Sequence, residues 1–115
     1  MSQDTDCIFC KIVAGKIPSK KVFEDEELLV FHDIHPWAPV HVLVIPKLHI
    51  TTLYDVGPEH EALLGRMLAL APKLMRQLGV VNGFRTLINT GEDGRQEVQH
   101  LHMHVMGGPR PWLRG

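Results

Sequence analysis

The chain is short of cysteine: Cys7 and Cys10 are the only two in 115 residues. That is too few for the disulfide framework of a small secreted domain, and the C-x-x-C spacing reads as a metal or redox pair before a structural disulfide. Charge of one sign is also lacking. Twelve Lys and Arg against thirteen Asp and Glu give a formal net charge of −1, so no basic surplus exists to neutralise a phosphate backbone, which argues against long nucleic acid as a partner. A small anion held locally is still allowed. No apolar run approaches the roughly 20 residues that cross a bilayer, and Met1 to Asp6 is polar and acidic where a signal peptide would be basic and then apolar. The expectation is a cytoplasmic protein without a membrane contact. Internal repeats and low-complexity tracts are absent.

What is present is enough for one core: 44% of the residues are hydrophobic, which at this length predicts a single domain over residues 1–115. Residues 7–13 are apolar, with Gly15 and Pro18 close behind, and predict a short helix or hook. Strands are expected over 21–24 and 28–33, on either side of an acidic turn. Pro36 and Pro39 break the chain before a run at 41–45 that is apolar on both faces, as in a strand covered on both sides. Pro58 suits the first turn of a helix whose apolar residues recur at helical spacing to Leu78, with Gly79 as its stop and Pro72 expected to kink or split it. At ~100° per residue its nine apolar positions from Leu63 to Leu78 cover about 160°, wider than a core-facing stripe needs. A second copy of the chain packed on this helix is therefore expected. Two further strands, over 84–89 and 98–106, flank a Gly91-to-Gly94 turn. The result is an α+β domain with about five strands, mostly antiparallel because the connections are too short for parallel crossovers, and one long helix on one face.

On the last strand His100, His102 and His104 alternate with Leu101, Met103 and Val105, so the two sets should face opposite ways. Neighbouring imidazoles would stand about 6–7 Å apart, from a rise of ~3.3 Å per residue. Three in register are hard to explain by packing. Histidine can attack as a nucleophile, move protons near neutral pH or bind metal, and the row alone does not choose among these.

His100-Leu101-His102-Met103-His104-Val105-Met106 resembles the signature of the histidine-triad superfamily. Residues 8–18, Phe31-His32-Asp33-Ile34, His41-Val42-Leu43-Val44-Ile45-Pro46-Lys47, and Gly107-Gly108 with Trp112 resemble the Hint branch of nucleoside-phosphoramidate hydrolases, so nearly the whole chain is covered. The resemblance implies hydrolysis at the α-phosphorus of a nucleoside 5′-monophosphate derivative through a nucleotidyl-histidine. Under it, His102 is the nucleophile, His104 and His41 contact phosphate oxygens, and Asn89 is a further phosphate-side contact. Asp33 accepts hydrogen bonds from the ribose, and Phe9, Ile12, Ile17 and Ile34 wall the base pocket. Cleavage of dinucleoside polyphosphates or nucleotidyl transfer is an alternative for the same triad, and a non-catalytic nucleotide-binding module is another.

The segment before the triad departs from the branch. Where Gly-Gln-Ser is usual the chain has Arg95-Gln96-Glu97, so only Gln96 matches at the substrate. Arg95 would add charge at the mouth of the pocket, and Glu97 would handle the leaving-group proton or simply be solvated. Cys7, Cys10, His49 and His100 resemble the zinc set of some bacterial histidine-triad proteins. The set implies a closed structural Zn²⁺ site that pins the N-terminal hook and is not required for the chemistry. The competing reading is that the two thiols pack as small hydrophobes and His100 serves only the hydrogen-bond network of the triad. His32, His35 and His60 fall in or near loops and are read as surface residues, as is Lys47.

Overall fold

The computed structural model describes residues 6–113. Its elements are α1 (Ile8–Val13), β1 (Lys21–Glu24), β2 (Leu28–His32), β3 (Val40–Pro46), α2 (Glu61–Gln77), β4 (Phe84–Leu87) and β5 (Met103–Gly107), with 3-10 turns at Leu53–Asp55 and Pro58–His60. The five strands form one sheet in the order β1-β2-β3-β5-β4, and every pairing is antiparallel. The α+β architecture with one long helix and a short N-terminal helix is as the periodicity predicts. Among the described residues no helix is long and apolar enough to cross a membrane.

Side chains alternate across the sheet, and each face carries its own core. Leu28, Val30, Val42, Val44, Met103 and Val105 bury against Leu63, Met67, Ala71, Leu74 and Met75 of α2. Leu29, Phe31, Leu43 and Ile45 pack on the opposite face against Phe9, Cys10 and Ile12 of α1 and the adjoining Cys7. β3 is thus covered on both sides, as its unbroken apolar run requires. Because α1 is six residues long, it leaves part of its face open.

Two expectations are corrected, a split of the long helix at Pro72 and a last strand that starts at residue 98. Helix α2 is neither split nor interrupted at Pro72. Ala71, Leu74 and Met75 around it are buried, and their packing holds the turn where one backbone hydrogen bond is lost. The broad apolar arc of α2 is taken up largely by its own chain, since Leu64, Leu70 and Leu78 also pack on the α2-side core. Leu68 is left 56% exposed. Finally, the last strand begins at Met103, not at residue 98. Met103 pairs with Val44, and beyond it β3 runs into Pro46, which has no N–H to extend a ladder. Leu101 is nevertheless fixed by an N–H bond to the Ile50 carbonyl at 2.6 Å and buried in the α2-side core. His100 and His102 therefore still face the α1 side.

Gln96 fastens the loops beneath the triad. Its amide nitrogen donates to the carbonyls of Thr51 and Val98 at 2.7 and 3.0 Å, and its amide oxygen accepts from the Gly91 N–H at 3.0 Å. The side chain expected at the substrate is instead committed to backbone. Gln96→Ala should leave these buried groups unpaired and lower stability by about 1–3 kcal/mol, read as a lower urea midpoint with an unchanged slope.

Candidate functional site

The uncovered part of the α1 face is a cleft of about 1160 Å³. Phe9, Ile12, Ile17, Phe31 and Leu43 make its apolar wall, while Asp33, Asn89, Glu97, His102 and His104 bring polar groups to it. Apolar walls with a few convergent polar groups are what a small-molecule site needs.

Backbone carbonyls decide the tautomers of two histidines. His102 Nδ1 lies 2.7 Å from the His100 carbonyl oxygen. A carbonyl only accepts, so Nδ1 carries the proton and Nε2 keeps its lone pair. Burial pushes the His102 pKa below the ordinary 6.5, against the opposing pull of the His100 carbonyl and the charges of Asp33 and Glu97. The ring is thus neutral at neutral pH with a free nucleophilic nitrogen. His100 Nε2 donates to the Pro46 carbonyl at 2.8 Å, so its lone pair is on Nδ1. Burial pushes His100 down to about 4.

A second chain of bonds sets His104. The Trp37 N–H donates to His41 Nδ1 at 3.0 Å, which places the His41 proton on Nε2. That nitrogen donates to His104 Nδ1 at 2.9 Å, so His104 keeps its own proton on Nε2 as a hydrogen-bond donor. Burial lowers the His41 pKa and the Asp33 carboxylate opposes the shift, which keeps the relay neutral. His41 was expected on phosphate oxygens. Both of its ring nitrogens are engaged, and it sits behind His104 without lining the cleft.

The triad is therefore divided. His102 and His104 line the cleft with ring centroids 5.1 Å apart, whereas His100 turns toward the cysteines. Its Nδ1 is 3.2 Å from Cys7 Sγ and 3.5 Å from Cys10 Sγ, and His49 Nδ1 is 3.2 Å from Cys10 Sγ. All four ligand atoms lie within 4.8 Å of one another. Tetrahedral zinc with Zn–S ≈ 2.3 Å and Zn–N ≈ 2.0–2.1 Å would separate S from N by about 3.5 Å, so the cluster could hold such a metal. The outer nitrogens are also anchored, that of His100 by Pro46 and that of His49 by Thr51 Oγ1 at 3.2 Å, as metal-bound imidazoles require. Cys7 caps α1 and its sulfur accepts the Cys10 N–H. The pair thus does open a helix, although no parallel βαβ unit follows to support a redox reading.

Asp33 reaches the cleft with one oxygen engaged in a turn, Oδ1 accepting the His35 N–H at 2.8 Å, and the other 3.5 Å from His41 Nε2. Ile34 is an exposed rim residue at 86%. Arg95 is exposed in a left-handed turn (φ 61°) and does not line the cleft, so its expected charge at the mouth is not found there. His32 and His35, read as plain surface residues, border the cleft. So does Trp37, whose ring stacks on His104 with centroids 5.0 Å apart at 17°. Nothing in the spacing of an isolated tryptophan between two prolines signals that contact. Lys47 pairs with Glu24 at 2.7 Å and does not line the cleft.

The family described as Scavenger mRNA decapping enzyme C-term binding matches residues 6–112. Protein HitA of Neisseria gonorrhoeae is 52% identical over 104 residues, covering 90% of this chain and 97% of that protein. A protein of Escherichia coli K12 named purine nucleoside phosphoramidase is 46% identical over 109 residues, covering 94% and 90% of the two chains. Among solved structures, a histidine triad protein from Clostridium difficile superposes with a TM-score of 0.90 at 42% identity, covering 95% and 96%. A Zn-bound histidine triad family protein from Mycobacterium smegmatis does so with a TM-score of 0.79 at 36% identity, covering 89% and 74%. With the His102–His104 pair on the cleft and these relatives along nearly all its length, the chain belongs to the histidine-triad family.

Proposed function

We propose that the protein hydrolyses nucleoside 5′-phosphoramidates, releasing a nucleoside monophosphate and an amine through a nucleotidyl-histidine. One observation carries this reading: His102 stands in the cleft, neutral, with Nδ1–H held by the His100 carbonyl and its Nε2 lone pair free. In the first step Nε2 bonds to phosphorus and the P–N bond breaks, its electron pair leaving on the amine nitrogen, which takes up a proton. In the second step water displaces His102 and completes the phosphate. Dividing the displacement this way replaces one difficult step by two easier ones. His104 Nε2–H steadies the negative charge that grows on the phosphoryl oxygens, with Asn89 as a second polar contact. Glu97, exposed at the cleft near His102, is the group we assign to the leaving-group proton. Asp33 takes the ribose hydroxyls, and Phe9, Ile12, Ile17 and Ile34 enclose a purine between apolar surfaces. The 46% identical Escherichia coli relative is named for such an activity.

Cys7, Cys10, His49 and His100 are the residues that would hold Zn²⁺. Bound there, the ion supplies folding energy and no catalysis, since four protein ligands leave no open position for water. It would also fix the His100 carbonyl that orients His102. Free thiols suit a reducing compartment, and the cytoplasm is the location we propose. The occupant proposed for the outer edge of β4 is a second copy of the chain. All four residues of β4 are exposed and only its β5 side is paired, and the exposed Leu68 of α2 adds apolar surface to the same molecule.

His102→Ala should lower turnover of an adenosine 5′-phosphoramidate by more than about 10³-fold; a variant retaining wild-type turnover contradicts the mechanism. The attacking ring must be unprotonated, and burial holds its pKa below 6.5. kcat/KM should therefore stay level as pH falls through 6.5 and decline only below it, in a limb that would lie at 6.5 or higher if the ring were not shielded. Metal analysis after purification without chelator should find about one zinc per chain, and its removal should lower Tm by more than ~5 °C. A metal-free protein of unchanged Tm excludes the site. Sedimentation at micromolar concentration should give the mass of two chains, and a monomer would exclude the dimer.

A further inference from the structure

We propose that Trp37 is a positioning residue for His104, its flat indole ring holding the orientation of the donor that faces the phosphoryl group. The inference rests on the phosphoramidase reading for what His104 does. The contacts themselves are independent of it.

Trp37 lies in the Pro36–Pro39 connection between β2 and β3. Its backbone N–H donates to His41 Nδ1, and so determines through His41 Nε2 that His104 accepts a hydrogen bond at Nδ1 and presents its proton on Nε2. Its indole stacks on the His104 imidazole at 5.0 Å and 17° and tilts against His41 at 5.3 Å and 57°. Its carbonyl accepts the N–H of Leu113 at 2.8 Å, which ties the loop to the C-terminal segment. That segment is itself held by the Trp112 Nε1–H bond to the Gly108 carbonyl at 3.0 Å and by Arg85 over the Trp112 ring.

The two restraints on His104 act on different freedoms. The relay through His41 fixes which nitrogen carries the proton and anchors Nδ1, but a hydrogen bond at a single atom does not set the plane of a ring. Stacking against a flat ring sets that plane. The His102 ring meets His104 edge-on, at 5.1 Å and 65°, and both rings line the cleft. A donor that stabilises developing charge works only when it is already aimed, because reorientation during the reaction costs part of the gain. Planarity of residue 37 is therefore the property that matters, and the main-chain N–H, which any residue but proline would supply, is not.

Substitution separates these parts. Trp37→Leu keeps the N–H and apolar bulk but removes the flat ring, and Trp37→Phe restores it. With an adenosine 5′-phosphoramidate, Trp37→Leu should lower kcat about tenfold with KM within twofold, as expected when a transition-state contact is misaligned by a fraction of an ångström. Trp37→Phe should recover most of the loss. An unchanged kcat in Trp37→Leu overturns the proposal, as does a raised KM at constant kcat, which would make the ring a substrate contact. An equal loss in Trp37→Phe also overturns it. If the wild-type protein turns over no phosphoramidate, the functional reading fails by itself, and NMR of the imidazole groups then decides. The Nε2–H resonance of His104 should be sharp in wild type and Trp37→Phe and broadened in Trp37→Leu, and a signal equally sharp in all three sinks the idea.

Discussion

β3 and β5 pair antiparallel at the centre of the sheet, with Leu43 opposite His104 and His41 opposite Met106, and this register governs both the core and the site. Paired residues share a face. The same ladder therefore places Val42, Val44, Met103 and Val105 against α2 and turns His41, Leu43 and His104 to the α1 side, where Leu43 and His104 line the cleft. A shift of one residue would exchange the two sets and bury imidazoles against α2. The apolar packing of α2 is thus what holds the histidines outward, and stability and function depend on one register.

Proton placement follows from backbone groups rather than from charged partners. Carbonyls of His100 and Pro46 hold His102 and His100 in opposite tautomers, and the Trp37 N–H sets His41 and through it His104. Burial keeps His41, His100 and His102 neutral, so each ring nitrogen has a defined role as donor or acceptor. The three alternating histidines are consequently placed differently: His102 brings a free Nε2 lone pair to the cleft, His104 an Nε2–H, and His100 faces two thiols while its own carbonyl orients His102. The Cys/His cluster and the cleft are joined through His100, whose ring faces the first and whose carbonyl orients His102 in the second.

The expectation of alternation survives the loss of the strand that motivated it. His100 and His102 precede β5, yet Leu101 is pinned by Ile50 and buried, and an extended segment fixed at one residue keeps its neighbours on the opposite side. Periodicity left open a split of α2 at Pro72, where packing of Ala71, Leu74 and Met75 keeps the helix continuous. Gln96 and His41 were placed at the substrate by motif alone. Their positions in the motif are occupied as expected, but their polar atoms are engaged with backbone or with another ring.

The amino-acid sequence by itself determined the α+β class, the facing of the histidine row and the C-x-x-C pair. Each of these follows from local periodicity or short spacing. Only the tertiary structure decided which histidines line the cleft, which nitrogen of each carries its proton, how closely His49 and His100 approach the two cysteines that the resemblance groups with them, and that Trp37 stacks on His104. These depend on contacts between residues 39 to 93 positions apart or on carbonyls whose direction the fold sets. A hydrogen bond has direction as well as distance, and no pattern along the chain encodes where a distant carbonyl will point.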